Sequence, residues 1–301
     1  MNLDLKGMKV AVLGGDNREL FLIPELVRLG ATCQTIGLPI EKMDGVKICN
    51  TIEAAVDGVQ AIILPMPGTN HEGKIHAVFS ETPFFLNDKV LSKVPKNVSI
   101  IVGVAKPYLK ELASKRGNRL IEIADLDDVA ILNSIPSAEG AIQIAMEETL
   151  ITIHGSNSFV LGFGRCGITL ARMLKGLGAK TTVAARKSAD IARIIEADLN
   201  PVTFLELEEK IGEADIIFNT APTLVLDEKV LKRVSPEAVI IDIASSPGGT
   251  DFQGAADLGI KALLAPGLPG KVAPKTAGLI LAKVIPNLIL QGISDLSSSE
   301  N

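Results

Sequence analysis

Cysteine is scarce in this 301-residue chain: Cys33, Cys49 and Cys166 are widely spaced, odd in number and never arranged as Cys-x-x-Cys. That excludes a disulfide framework and a zinc cluster, and it leaves three reduced packing residues. Histidine is as rare, with His71, His76 and His154 alone, and no pair of histidines or cysteines stands at ligand spacing, so no metal site is expected. Positive charge is in deficit, since 30 Lys and Arg against 35 Asp and Glu give a formal net charge of -5 without any basic run. Nucleic acid and anionic membranes therefore drop out as partners. No apolar run approaches the ~20 residues that span a bilayer, and residues 1–6 carry no hydrophobic signal core, so a cytoplasmic protein is expected. Aromatic residues make up only 3% of the chain while many helix faces are apolar, which points to a homo-oligomer.

What the chain does have is 47% hydrophobic residues, 27 Gly and 16 Pro over a length that suits two α/β domains, each large enough to bury its own core. Its most informative segment lies in mid-chain, where the apolar run before Gly162 leads through Gly162, Phe163, Gly164, Arg165, Cys166 and Gly167 into an amphipathic helix over residues 168–177. This is Gly-x-Gly-x-x-Gly in a strand-to-helix setting, the signature of a dinucleotide site. Gly162 permits the tight turn, Gly164 lets the backbone approach a pyrophosphate, and Gly167 lets strand and helix pack closely. The amides at the helix start then face the phosphates.

The next strand, residues 181–185, tells which dinucleotide is bound. A carboxylate that grips the ribose 2′-hydroxyl is expected at its tip, about 20 residues past the glycines. Arg186, Lys187 and Ser188 stand there instead, and the nearest acid is Asp190, already in the following helix. Two cations and a hydroxyl suit a 2′-phosphate, so NADP is favoured over NAD. An ordinary solvated turn would explain the same two cations.

The first half reads as another Rossmann-like unit. Strands are predicted over residues 8–13, 32–36, 61–64, 99–102 and 120–123, with a helix over 19–29, which together suggest a parallel sheet of flavodoxin type. Gly14-Gly15 is not a dinucleotide triplet, so this half is assigned the substrate. The fold expected overall is α/β, with two Rossmann-like, doubly wound parallel-sheet domains joined by a hinge and a returning C-terminal helix. The substrate domain covers 1–135, a connecting helix 136–150, the NADP-binding domain 151–270, the returning helix 271–293 and a disordered tail 294–301. Nucleotide-domain strands are predicted over 159–161, 181–185, 216–219, 239–243 and 262–264. Pro136 pushes Ile135 out of helical geometry and Ser137 offers a helix cap, which makes Asn133 to Gly140 an interdomain hinge.

Several motifs resemble one family. They are Gly14-Gly15-Asp16 with Arg18, Asn133-Ser134-Ile135-Pro136 with Glu139-Gly140, the glycine segment from Gly162 to Gly167, and Asp242-Ile243-Ala244-Ser245-Ser246-Pro247-Gly248-Gly249-Thr250-Asp251. The segment from Ala265 to Gly270, with Pro274-Lys275-Thr276-Ala277-Gly278, completes the set. Over nearly its full length the chain resembles the A-subunit family of bacterial dipicolinate synthase, a sporulation enzyme. The resemblance implies an NADP-linked subunit that acts with the flavoprotein-like B-subunit of dipicolinate synthase in the mother-cell cytoplasm. It implies a small cyclic dicarboxylate substrate, a hydroxytetrahydrodipicolinate or its dihydro form, which loses water and two electrons to become aromatic.

The residues available for that chemistry lie at predicted carboxyl ends of strands. A dicarboxylate held against the nicotinamide in an interdomain cleft needs cations and hydroxyls around it. Arg18, in the turn after the first strand, and Thr69, Asn70 and Lys106, in later loops, are the substrate-binding candidates, although Arg18 and Lys106 would also suit plain turns. Asn133, Ser134 and Lys275 are the catalytic candidates, with His71 as a proton shuttle; turn capping by Asn133 and Ser134 is the competing reading. His76 and His154 are read as packing or surface residues. Asn219, Thr220, Ala221, Pro222, Ala244 and Ser245 are expected to line the ribose and nicotinamide. Asp242 could be a satisfied buried carboxylate. Two rivals stand beside this reading: a 2-hydroxyacid or amino-acid dehydrogenase, against which no histidine follows His154, and a non-catalytic NADP-binding subunit.

Overall fold

The computed structural model describes residues 3–299. They divide into two units: residues up to Ala130 together with those from Pro274 onward, and Ile131–Ala273. Unit 1 holds the strands β1 (Lys9–Leu13), β2 (Thr32–Ile36), β3 (Val46–Ile48), β4 (Ala61–Ile63), β5 (Ser99–Val102) and β6 (Leu120–Glu122). Unit 2 holds β7 (Asn157–Leu161), β8 (Lys180–Ala185), β9 (Asn200–Thr203), β10 (Ile216–Asn219), β11 (Val239–Asp242) and β12 (Lys261–Leu264). The helices in chain order are α1 (Glu19–Arg28), α2 (Ile52–Ala55), α3 (Asp88–Leu91), α4 (Pro107–Arg116), α5 (Asp127–Glu148) and α6 (Arg165–Gly176). They continue with α7 (Ser188–Glu196), α8 (Leu207–Lys210), α9 (Glu228–Leu231), α10 (Phe252–Asp257), α11 (Leu268–Val272) and α12 (Pro274–Ser299). No helix among the described residues is long and apolar enough to cross a membrane.

Both sheets are six-stranded and wholly parallel, ordered β3-β2-β1-β4-β5-β6 and β9-β8-β7-β10-β11-β12. This is the doubly wound order in each unit, with the crossover reversing direction beside β1 in one and β7 in the other. Parallel strands covered on both faces read as continuous apolar runs, as in Ile100-Ile101-Val102 and Val239-Ile240-Ile241. Alternation decides the face: Ala11 and Leu13 of β1 join one core, Val10 and Val12 the other.

Three expectations are corrected. The flavodoxin-type sheet of unit 1 lacked β3, whose three residues are mostly exposed at a sheet edge. Without β3 the remaining strands run in the flavodoxin order, and adding it gives the Rossmann order. In unit 2, β9 was likewise unpredicted, because Pro201 within it argues against a strand except at an edge, where this one lies. The hinge is the second correction: Asn133, Pro136 and Gly140 all lie inside the 22-residue α5, which starts ten residues before Ser137. Around Pro136 the Ser134 hydroxyl donates to the Ile131 carbonyl at 2.6 Å and the Ser137 hydroxyl to the Asn133 carbonyl at 2.8 Å. The serine hydroxyls thus engage the carbonyls on either side of that of Leu132, the one Pro136 cannot serve, and the helix continues. Third, the backbone stays helical through Ser299 where a disordered tail from 294 was expected; Glu300 and Asn301 lie outside the described residues.

The long α12 belongs to unit 1, not to the nucleotide unit that precedes it. Leu281, Val284, Ile285 and Ile289 share a core with Leu22, Ile23 and Leu26 of α1. The two helices approach so closely that a Cβ on Gly278 would overlap the Arg18 carbonyl oxygen.

Candidate functional site

In unit 2, β7 ends at Leu161 and the chain turns through Gly162, whose φ of 106° is open to glycine and strained for any other residue. A Cβ on Gly167 would overlap the Gly162 carbonyl, so the first turn of α6 is pressed directly onto the loop. Gly164 is different, because a Cβ there meets nothing within 4 Å. It is the N-cap of α6, no side chain caps the helix, and the first-turn amides face outward. This is a phosphate cradle with its ligand side left open.

The cradle opens into a groove of about 660 Å³. Of the cofactor candidates, Gly162, Phe163, Gly164, Arg186, Lys187, Thr220, Ala221 and Pro222 line it. Arg186 and Lys187 follow β8, are exposed, and form no ion pair among the described residues. Ser188 opens α7 beside them, and Asp190, in the same first turn, also lines the groove. Arg165, Cys166 and Gly167 form the first turn of α6 beneath the loop. Burial pushes the Cys166 thiol above its ordinary range, although Arg165 pulls the other way.

Asn219 and the loop after β11 act one step removed from the groove. The Asn219 side chain is fully buried; it accepts from the Ala221 amide at 3.1 Å and donates to the Ala221 carbonyl at 3.0 Å, which shapes the turn that presents Thr220 and Pro222. Ala244 is buried and Ser245 exposed, and neither lines the groove. Asp242, for which the sequence suggested only a satisfied buried carboxylate, organises this region. It accepts from the Ala244 amide at 3.0 Å, the Gly249 amide at 2.8 Å and the Thr250 hydroxyl at 2.7 Å. The folded-back Gly249 carbonyl receives the Val225 and Leu226 amides, at 2.9 and 3.0 Å, and so fixes the far wall of the groove. Thr223, Leu224 and Val225 in that wall carried no local sequence signal, since a backbone carbonyl from another strand's loop places them.

Unit 1 has its own cavity, of about 270 Å³, beyond the carboxyl ends of β4 and β5. It gathers three of the four substrate candidates, Thr69, Asn70 and Lys106, and adds Lys74 and His76, which sequence reasoning had not placed there. Gly103 and Gly68 let the two loops meet: a Cβ on Gly103 would overlap the Met66 backbone, and one on Gly68 would lie 2.7 Å from the Val104 carbonyl oxygen.

The fourth substrate candidate, Arg18, is corrected. Arg18 is only 7% exposed, and its guanidinium binds both carboxylate oxygens of Asp16, with Nε to Oδ1 at 2.9 Å and Nη2 to Oδ2 at 2.6 Å. Burial alone would raise the Asp16 carboxyl, but the Arg18 guanidinium outweighs it, helped by His76, and holds Asp16 below its usual range. Arg18 is thus engaged in the turn after β1 and does not line the cavity. Beside it Glu19 is 1% exposed and accepts the Asp16 amide at 2.7 Å; burial pushes its carboxyl up to about 7. With Glu19 packed against Gly15, a carboxyl fills the place where a Rossmann loop would receive phosphate.

The catalytic candidates separate. His71 is exposed and outside the cavity, whereas His76 lines it. The Ser134 hydroxyl, fully buried, is used by the Ile131 carbonyl and by Thr169 Oγ1 at 2.7 Å, so its reading as a catalytic hydroxyl is corrected to that of a helix-bridging one. Asn133 Oδ1 is buried with no hydrogen-bond partner among the described residues. Lys275 is exposed in the first turn of α12 and lines neither cavity. Among the described residues no group of His, Cys, Asp and Glu could hold a metal ion.

Residues 9–124 match the N-terminal domain of the dipicolinate synthase A-subunit, and residues 137–247 match the NAD binding domain of D-isomer specific 2-hydroxyacid dehydrogenases. The dipicolinate synthase A-subunit of Bacillus subtilis (strain 168) is 43% identical over 291 residues, covering 95% of this chain and 97% of the relative. This chain belongs to the dipicolinate synthase A-subunit family. The crystal structure of the Bacillus halodurans A-subunit superposes with a TM-score of 0.93 at 41% identity, covering 95% of this chain and 99% of the other. That of the Bacillus subtilis protein gives 0.91 at 42% identity, covering 98% and 100%. Family membership and the dehydrogenase-type domain agree with the groove: this is an oxidoreductase with a nicotinamide nucleotide site in unit 2.

Proposed function

We propose that this chain is the oxidoreductase subunit of a dipicolinate synthase, using NADP to convert a cyclic dihydrodipicolinate into aromatic pyridine-2,6-dicarboxylate together with the enzyme's B-subunit in the bacterial cytoplasm. Going from the dihydro ring to the aromatic one removes one hydride and one proton, and the bound nicotinamide supplies the hydride acceptor. The protein's part is to bind and orient. Gly162 and Gly164 and the start of α6 hold the pyrophosphate, the Asn219 turn shapes the nicotinamide end, and unit 1 takes the small acid.

The observation that carries the NADP assignment is the end of the groove. Where a carboxylate would accept a ribose hydroxyl at the tip of β8, two cations without an ion-pair partner among the described residues line the opening. A doubly charged 2′-phosphate meets Arg186 and Lys187 with charge-assisted hydrogen bonds. Asp190 lies in the first turn of α7, after the two cations at the strand tip.

The test mixes the chain with its B-subunit, generates the dihydrodipicolinate precursor in situ and follows dipicolinate formation with NADP, with NAD and with neither. NADP-dependent product is expected. Product formed equally without nucleotide would make this chain a binding subunit only. The double variant Arg186→Ala, Lys187→Ala is expected to weaken NADP binding by about tenfold to a hundredfold while changing NAD binding less than threefold or so, since only the 2′-phosphate contacts are lost. Equal losses for both nucleotides would refute the specificity.

A further inference from the structure

The cavity of unit 1 offers hydrogen-bond donors and almost nothing that accepts. Thr69 is 2% exposed, lines the cavity, and its Oγ1 has no hydrogen-bond partner among the described residues. A buried hydroxyl left unpaired is costly unless a ligand completes it. Asn70 Oδ1 already accepts from the Glu72 amide at 2.9 Å and the Lys74 amide at 2.8 Å, which leaves its amide nitrogen as the free end. Lys74 and Lys106 add ammonium groups that form no ion pair among the described residues, and His76 adds an imidazole.

Three carbonyls of the lining residues are already engaged. The Gly68 carbonyl accepts from the His76 amide at 3.1 Å, that of Lys74 from the Asn70 amide at 2.9 Å, and that of His76 from the Gly15 amide at 2.9 Å. Among the described residues no carboxylate lines the cavity. Asp16, the carboxylate that interacts with His76, is held by Arg18. Lys106 is also the N-cap of the ten-residue α4, with no side-chain cap, so the positive end of that helix dipole adds to the same opening.

We propose that this cavity is an anion subsite that takes one carboxylate of the cyclic dicarboxylate, with the orphaned Thr69 hydroxyl donating to it and Lys106 supplying the charge. The proposal rests on the reading that unit 1 holds the small acid, and it assigns the residues that do so. Thr69 fixes where the carboxylate sits because a buried hydroxyl on a short side chain has little freedom. Lys106 and Lys74, longer and more flexible, contribute attraction more than position.

The probes are pyridine-2,6-dicarboxylate and inorganic phosphate, titrated calorimetrically into the full chain and into Thr69→Val, Thr69→Ser and Lys106→Met. NADPH fluorescence titration of each variant reports on unit 2 in parallel. The dicarboxylate is expected to bind, with affinity lowered about tenfold or more by Thr69→Val and by Lys106→Met, and changed less than about threefold by Thr69→Ser. NADPH affinity is expected to stay the same throughout. Wild-type dicarboxylate affinity in both Thr69→Val and Lys106→Met overturns the subsite, and so does tighter binding of phosphate than of the dicarboxylate. Failure of the oxidoreductase reading looks different: dicarboxylate binding stays sensitive to Thr69 and Lys106 while no nucleotide is reduced in the assembled complex.

Discussion

Gly164 and Gly167 stand three residues apart in one loop, yet a side chain would do different harm at each. At Gly164 a Cβ meets no protein atom, and φ -88°, ψ -164° is a conformation alanine tolerates. Gly164→Ala is therefore expected to fold with unchanged melting temperature and to lose at least about tenfold in NADPH affinity, because the methyl group takes the space of the pyrophosphate. At Gly167 the Cβ would overlap the Gly162 carbonyl. Gly167→Ala is expected to lower the melting temperature as well, by forcing α6 off β7; fluorescence titration and thermal unfolding of the two variants together distinguish the roles. The three glycines were legible in the sequence because a positive φ at Gly162, an open approach at Gly164 and a close contact at Gly167 each favour the residue without a side chain. Arg18 was not: its position after β1 suggested an anion site, and only the bidentate pair with Asp16 shows that the guanidinium is already used. Thr69 and His76 show the reverse, since nothing in their spacing announces that one hydroxyl is orphaned or that the other side chain lines the same cavity.

At the scale of elements, the features that misled were those where a local penalty is met by a local remedy. Pro136 signals a helix break, and the hydroxyls of Ser134 and Ser137 donate to the Ile131 and Asn133 carbonyls beside it while the helix continues. β3 and β9 are short edge strands whose residues largely face solvent, so neither apolar run nor alternation marks them. α12 was legible as an apolar helix, and what the sequence could not show is how closely it rests on α1. Gly278 makes that approach possible. Gly278→Ala is expected to destabilise unit 1 by roughly 1–3 kcal/mol, as overpacking does in a tight core, read as a lower midpoint in urea with the NADPH affinity of unit 2 retained. An unchanged midpoint would show that α12 shifts without cost.

Across the whole molecule, one buried acid makes stability depend on pH. Burial is the main cause that raises Glu19 from 4.5 to about 7, the nearby Asp16 charge adds to it, and the Asp16 amide and Arg18 oppose it. A carboxyl whose folded value lies above its unfolded one keeps its full stability contribution below pH 4.5 and loses it as pH rises through about 7. Relative to Glu19→Gln, the wild-type protein is expected to lose on the order of 3 kcal/mol between about pH 4 and 8, following from ~1.4 kcal/mol for each unit of displacement. Urea denaturation of both proteins across that range measures it, and a difference that does not change with pH would show that Glu19 is not held neutral.

The sequence by itself determined the α/β class, the doubly wound nucleotide unit, the phosphate loop and the cations at its far end. Each of these follows from constraints a single segment carries: glycine conformation, apolar runs in buried strands and the residue at a strand tip. The tertiary structure alone decided which polar groups are spent and which are left over. Asp242 reaching Gly249, the Gly249 carbonyl reaching Val225 and Leu226, and Thr69 left without a partner among the described residues are outcomes of strands and loops meeting in the folded chain. Hydrogen bonding is settled by which groups arrive within roughly 3 Å of one another in the folded state, and no local pattern records that.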